Sequence, residues 1–116
     1  PECGDITTAW ASAYSYTEET LTLRYAQAVV PTQINIYETY NPGSIVRVSV
    51  SDSSGANSAV VYEAAPQIVE TCPRVLTVDI SAVAFPVQQV TIELDQTDHS
   101  GWNEIDAVEL VGIALP

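Results

Sequence analysis

The C-terminal stretch Gly101-Trp102-Asn103-Glu104-Ile105-Asp106-Ala107-Val108-Glu109-Leu110-Val111-Gly112-Ile113 is the segment around which this chain is organised. From Ile105 to Ile113, alternating polar and apolar residues give way to a short apolar run. This pattern is typical of a strand that is half covered by a core and ends buried. Glu104 stands at the entry to the strand, beside Trp102 and Asn103. A carboxylate held there predicts a partner elsewhere in the chain, because buried acids are rarely unpaired.

The predicted partner lies at the other end of the sequence, in Cys3-Gly4-Asp5-Ile6-Thr7-Thr8-Ala9-Trp10. The Gly-Asp pair favours a turn, Asp5 and Thr8 carry side-chain oxygens, and Trp10 follows as a large apolar anchor. Such a loop suits a hard cation, since Ca²⁺ takes carbonyl and side-chain oxygens at ~2.3–2.6 Å. The alternative is that Asp5 caps its own turn and Glu104 accepts hydrogen bonds from nearby amides.

Length and composition predict a single domain over residues 1–116, long enough to bury a core. Hydrophobic residues make up 47% of the chain and charged residues 16%, and the richness in Val, Ile and Tyr favours strands. The net charge of -12 excludes nucleic acid, which needs Lys and Arg against its phosphates, and disfavours anionic lipid. No stretch has the ~18 apolar residues of a membrane helix, so no membrane insertion is expected.

The two cysteines, Cys3 and Cys72, have no metal-ligand spacing, and one disulfide is the simplest interpretation. In the chain-entropy model, a loop of this length stabilises the fold by roughly 4 kcal/mol. A disulfide also predicts an oxidising compartment, and hence a secreted or cell-surface protein. The alternative is two buried free thiols.

Alternating segments separated by turn residues predict an antiparallel β-sandwich of about seven or eight strands with no significant helix. The chain is expected to turn at 28–31. A hairpin is expected across Asn41-Pro42-Gly43, with Gly43 accepting a positive φ. The predicted strands are Ala9–Ala13, Thr20–Tyr25, Ile34–Tyr40, Ile45–Val50, Ala59–Tyr62, Arg74–Ile80, Val90–Leu94 and the C-terminal stretch.

Two sets of residues resemble known families. The pattern Gly-Asp-x-x-Thr-x-Trp from Gly4 to Trp10, with Glu104-Ile105 near the end, resembles the galactose-binding-like jelly-roll domains, which include discoidin domains and many carbohydrate-binding modules. A longer set is similar to the scarf-like domains of pappalysins and bacterial surface proteins, and it covers nearly the whole chain. It comprises Cys-Gly-Asp, Ala-Trp-Ala-Ser, Ile-x-Ile-Tyr-Glu-Thr-Tyr-Asn-Pro-Gly, Cys-Pro and Trp-Asn-Glu-Ile-Asp-Ala-Val-Glu-Leu-Val-Gly.

The resemblance implies a galactose-binding-like jelly roll with a structural Ca²⁺ held by Asp5, Thr8, Glu104 and backbone carbonyls. Many relatives have Asp-Gly-Asp where this chain has Cys3-Gly4-Asp5, so a cysteine replaces one potential ligand. A disulfide at Cys3 would tie the N-terminal loop to the sandwich in the same way that the ion does.

The resemblance also implies that loops at one end of the sandwich bind carbohydrate, with aromatic faces stacked on sugar rings. Each candidate has an alternative role in the core or in shielding a turn. The predicted ligand-binding residues are Tyr14, Tyr16, Tyr40, Asn41, His99, Trp102 and Asn103.

Catalysis is not expected. The single histidine, His99, lies between Asp98 and Ser100, and neighbours in sequence rarely form a working triad because their side chains point apart. The chain is therefore expected to be a noncatalytic extracellular recognition module for carbohydrate or cell-surface adhesion. The alternative is a structural subunit of an extracellular filament or sheath. In that case an open sheet edge would self-associate or accept a donor strand from another chain.

Overall fold

The fold is all-β, as expected from the alternating sequence pattern. A computed structural model describes residues 10–11, 17–40, 42–67, 69, 71–97 and 103–115. All strand pairs are antiparallel, and the described part of the chain contains no helix. The strands are β1 (Trp10–Ala11), β2 (Glu18–Tyr40), β3 (Ile45–Ser51), β4 (Ser58–Glu63), β5 (Arg74–Asp79), β6 (Val87–Asp95) and β7 (Glu104–Ala114).

The long strand β2 joins the two layers of the sandwich. Residues 18–24 pair with β6, whereas residues 33–38 lie between β5 and β7. One layer therefore has the order β2-β6-β3-β4 and the other the order β1-β7-β2-β5. A straight strand of 23 residues would span ~76 Å at ~3.3 Å per residue. The longest dimension of the molecule is 43 Å, so β2 bends between its two pairing regions.

The structure contradicts two predictions about where the chain turns. No turn divides the chain at 28–31, since β2 continues through these residues, and Pro31 lies beside a register shift where its missing N–H is tolerated. The hairpin predicted across residues 41–43 is also wrong, because β3 pairs with β4 and β6 rather than with β2. Gly43 has the predicted positive φ, but its N–H is bound by a side chain, and the adjoining Ser44 carbonyl accepts from Asp95 of β6. These bonds direct the chain into the other layer.

The core lies between the two layers and is built from alternating positions of the central strands. Burying each such side chain contributes ~1.5–3 kcal/mol. The buried apolar residues are Ile34, Ile36, Ile45, Val48, Val50, Val78, Ile80, Val87, Val90, Ile92, Leu94 and Ile105.

The last strand begins buried and ends exposed, contrary to the prediction that it would end buried. Ile105 is 2% exposed, whereas Ile113 is 71% exposed. Ile113 pairs with Val30, which is itself 48% exposed. This end of β7 follows the bend of β2 beyond the cover of the core.

A hydrogen bond from the Tyr25 side chain links the bend of β2 to the last strand. Its hydroxyl donates a hydrogen bond to the Val108 carbonyl oxygen at 2.9 Å, and burial raises the pKa of Tyr25 from 10.0 to about 12. The neutral phenol is thus favoured in the folded state, and its stabilising contribution is present in full below pH 10. That contribution is lost as the pH rises through about 12.

Tyr25→Phe should reduce the loss of stability that the wild-type protein shows at high pH. We expect the wild type to lose roughly 1 kcal/mol of unfolding free energy between pH 10 and 12, a value discounted for the partial exposure of the ring. Urea denaturation at pH 8, 10, 11 and 12 measures this difference. Parallel pH profiles for wild type and variant would contradict the assignment.

Candidate functional site at the entry to the last strand

Glu38 is the centre of a buried polar network at one end of the sandwich. The residue is 0% exposed, and its Oε2 accepts a hydrogen bond from Arg74 Nε at 2.7 Å. Its Oε1 accepts from the Gly43 backbone N–H and from Asn103 Nδ2, both at 3.1 Å. Three segments of the chain therefore converge on one carboxylate. Such convergence is what a buried charge requires, because an uncompensated one costs several kcal/mol.

The alternation of β2 explains why this glutamate is buried. Ile34, Ile36 and Glu38 lie on one face of the strand, so the carboxylate continues a row of core isoleucines to the end of the sandwich. Glu38 pairs with Arg74 of β5 on one side and with Ile105 of β7 on the other. The register of β2 against β5 therefore forms the ion pair.

Asn103 links the network to the entry of β7. Its backbone N–H donates to Gln96 Oε1 at 2.6 Å, and the Gln96 N–H donates to the Thr17 carbonyl oxygen at 2.9 Å. Gln96 and Asn103 are both fully buried. The start of β7 is thus fixed to the end of β6 and to the segment that leads into β2.

Glu104 adds a second buried carboxylate next to Asn103. It is 1% exposed and pairs with Tyr40 of β2 and with Ala11 of β1. We call this end of the sandwich the polar pole and define it by its buried or partly buried polar residues. These residues are Thr17, Glu38, Arg74, Gln96, Asn103 and Glu104.

The structure brings together those predicted site residues that it describes. Tyr40 is half-buried at the end of β2 opposite Glu104, and Asn103 is buried with its amide on Glu38. Glu104 lies at the strand entry, as predicted. The predictions for Asp5, Thr8, Tyr14, Tyr16, Asn41, His99 and Trp102 fall outside the described residues.

The segments that carry the remaining predicted residues are attached at the polar pole. Residues 12–16 connect Ala11, which pairs with Glu104, to Thr17, which accepts from Gln96. Residues 98–102 connect the end of β6 to Asn103, and residue 41 follows Tyr40 directly. The described residues that flank the three predicted ligand-binding segments therefore lie at one end of the fold.

Metal coordination within the described ranges is limited. No group of three or more His, Cys, Asp or Glu residues in this part of the chain is placed to hold a metal ion. Glu104 offers a buried carboxylate, which is the donor type that Ca²⁺ prefers. Ala11 of β1, which follows Asp5 and Thr8 in sequence, pairs with Glu104, and the Ca²⁺ site itself stays a prediction.

Cys72 lies at the same pole. Its Sγ is 3.5 Å from the Thr39 carbonyl oxygen, and no described cysteine is a free thiol. Cys3 falls outside the described residues, so its pairing with Cys72 stays a prediction. Cys72 is followed by Pro73 and Arg74, which places the ion pair directly after it in sequence.

The sequence interpretation missed Glu38 and Arg74. The signal for Glu38 was present, since it occupies an inward position of the alternation that begins at Ile34 and Ile36. The partner was not evident, because Arg74 is 36 residues away in sequence and meets Glu38 only through strand register.

Comparison with protein families identifies a match over nearly the whole chain. The family model described as Pappalysin-1, SD scarf domain, C-terminal, matches residues 1–115. Comparison with curated proteins gives no significant match. Across the described residues, no helix has the length and apolarity needed to cross a membrane.

Proposed function

We propose that this chain, which belongs to the pappalysin-1 SD scarf domain family, binds carbohydrate through the loops attached at the polar pole. Scarf domains are accessory, noncatalytic domains of extracellular proteins. The observation that carries the proposal is the common attachment of three predicted ligand-binding segments at this pole. Loops on a rigid scaffold are where binding residues concentrate in β-sandwich folds.

The buried network supports this function by holding the loop attachments in place. Asn103 is bonded through both its side chain and its backbone, and the two bonds fix the entry to β7. Tyr40 leads into residue 41 from the neighbouring strand. A rigid base raises the affinity of a binding site because less conformational freedom is lost on binding.

A structural Ca²⁺ is part of the proposal. Glu104, Asp5 and Thr8 would hold it, and the ion would join the N-terminal segment to β7. The ion would therefore stabilise the same loops that bind the ligand.

A glycan array probed with the purified domain tests the function. We expect binding to a defined class of glycans in Ca²⁺ and weaker binding in EDTA. Tyr40→Ala should weaken the interaction by at least about tenfold, which is 1.4 kcal/mol, because an aromatic face against the sugar is lost.

Ile113→Ala serves as the matched control, since Ile113 is 71% exposed and pairs with Val30 at the bend of β2, away from Tyr40. This variant should bind as the wild type does. An array without hits, probed with protein that melts cooperatively, would contradict the proposal. Unchanged binding and an unchanged melting temperature in EDTA would contradict the calcium component alone.

A further inference from the structure

We propose that the outer edge of β4, together with the apolar groove beside it, docks an extended basic peptide segment of a partner protein as an added strand. This surface, which we call the β4 edge, comprises residues 58–63 and the facing segment 79–85. It lies apart from the polar pole. The proposal is therefore independent of carbohydrate binding.

The first observation is an open strand edge. In the described ranges, β4 pairs only with β3 and is the last strand of its layer. Backbone N–H and C=O groups on such an edge form a template for another strand. Val60 is 53% exposed in the middle of β4, and an apolar side chain does little to prevent another strand from pairing with the edge. The charged residue of the strand, Glu63, stands at its end.

The second observation is a groove along this edge. It has a volume of about 400 Å³ and lies between β4 and the segment 79–85. The side chains that line it are almost all apolar. Every second residue of an added strand would point into such a groove. The principal lining residues are Ala59, Val60, Val61, Ile80, Val83 and Phe85.

A second hollow of about 260 Å³ adjoins the groove, and Val30 and Pro31 contribute to its lining. The two hollows share residues 83–85. Val30 is 48% exposed. The exposed Val30 adds apolar surface beside the groove.

The third observation is the sign of the surrounding charge. The chain carries a net charge of -12, and its only strongly basic side chains are those of three arginines. Each arginine is already engaged: Arg24 with the Ser53 carbonyl, Arg47 with Glu63 and Glu93, and Arg74 with Glu38. Asp79 lines the groove. A segment with apolar residues facing the groove and Lys or Arg facing outward complements this surface.

The same charge argues against a second copy as the occupant. Two chains of -12 repel each other, and each would bring its own Glu63 to the shared edge. A register shift at Val61 further limits symmetric pairing, because it interrupts the ladder within β4. The edge is therefore suited to a different partner, and self-assembly through it is an outcome that the test must exclude.

The probe is a fluorescein-labelled peptide of about nine residues that alternates valine and lysine, which is a typical strand length. Fluorescence anisotropy should show saturable binding to the wild-type domain, weakening as salt is raised. Val60→Arg should weaken binding by at least about tenfold, since it places a cation in the groove. Hydrogen exchange should slow at the amides of residues 58–62 when the peptide is bound.

Val75→Arg is the matched control. Val75 is 48% exposed on edge strand β5 and does not line the groove, yet its replacement changes the net charge by the same amount as Val60→Arg. This variant should retain most of the affinity. Equal weakening by both substitutions would overturn the proposal. The proposal would also be overturned if a peptide with proline at alternate positions bound as tightly as the valine–lysine peptide, or if the wild-type domain bound neither. Dimerisation through β4, seen by sedimentation velocity, would overturn it as well.

Discussion

Arg74→Met is expected to lower the free energy of unfolding by about 3–5 kcal/mol. The substitution leaves the Glu38 carboxylate 0% exposed and without the Nε donor that now lies 2.7 Å from Oε2. Gly43 and Asn103 would still donate to Oε1, but two amide hydrogen bonds do not replace a full positive charge. Urea denaturation at neutral pH measures the effect.

Arg47→Met is the matched control for this prediction. Arg47 pairs with Glu63 and Glu93, but its side chain is 45% exposed, so its removal should cost less than about 1 kcal/mol. Adding Glu38→Gln to Arg74→Met should restore about 2 kcal/mol, because a neutral amide oxygen still accepts from Gly43 and Asn103. Similar costs for the Arg47 and Arg74 variants would show that the buried pair does not hold the polar pole together.

Gly43→Ala is expected to cost about 3–5 kcal/mol in total, from left-handed backbone strain and overpacking. Gly43 has φ +108°, and a Cβ there would overlap the Gln67 carbonyl oxygen and lie 2.9 Å from Val69 Cγ2. Gln67 cannot withdraw freely, since its N–H donates to the Gly43 carbonyl at 3.0 Å. Any backbone shift would also lengthen the bond from the Gly43 N–H to Glu38.

Gly55→Ala separates the effect of backbone strain from the effect of overpacking. Gly55 also has a positive φ of +77°, but nothing lies within 4 Å of the Cβ position. This substitution should cost only about 1–2 kcal/mol, from backbone strain alone. Thermal and urea denaturation of both variants gives the comparison, and equal losses would contradict close packing around Gly43.

Much of the fold is predictable from the sequence. Alternation identified the inward positions Ile34, Ile36, Val90, Ile92 and Leu94, because a half-buried strand exposes every second residue. The positive φ of Gly43 followed from its turn chemistry. Both features depend on residues that are close in sequence.

The layer to which each strand belongs was not predictable in this way. Pro31 indicated a turn, yet the chain passes through it because the partner strand shifts register there. Likewise, the turn at Pro42-Gly43 indicated a hairpin, although β3 pairs in the other layer. Strand pairing depends on contacts between distant segments, and local turn signals do not encode it.

The candidate site was predictable in part for the same reason. Glu104 stood out as a carboxylate at the entry to an apolar strand, and it is buried there. The pairing of Glu38 with Arg74 depends on how β2 aligns with β5. Neither residue has a local motif that would have indicated the pair.

We propose recognition at the polar pole, and amide shifts in an NMR titration of the ¹⁵N-labelled domain with a glycan retained on the array test this location. We expect the largest shifts at the described residues that flank the three segments. These are Thr17, Tyr40, Thr97, Asn103 and Glu104. Shifts concentrated at residues 58–63 and 79–85 instead, with these five amides unmoved, would contradict it.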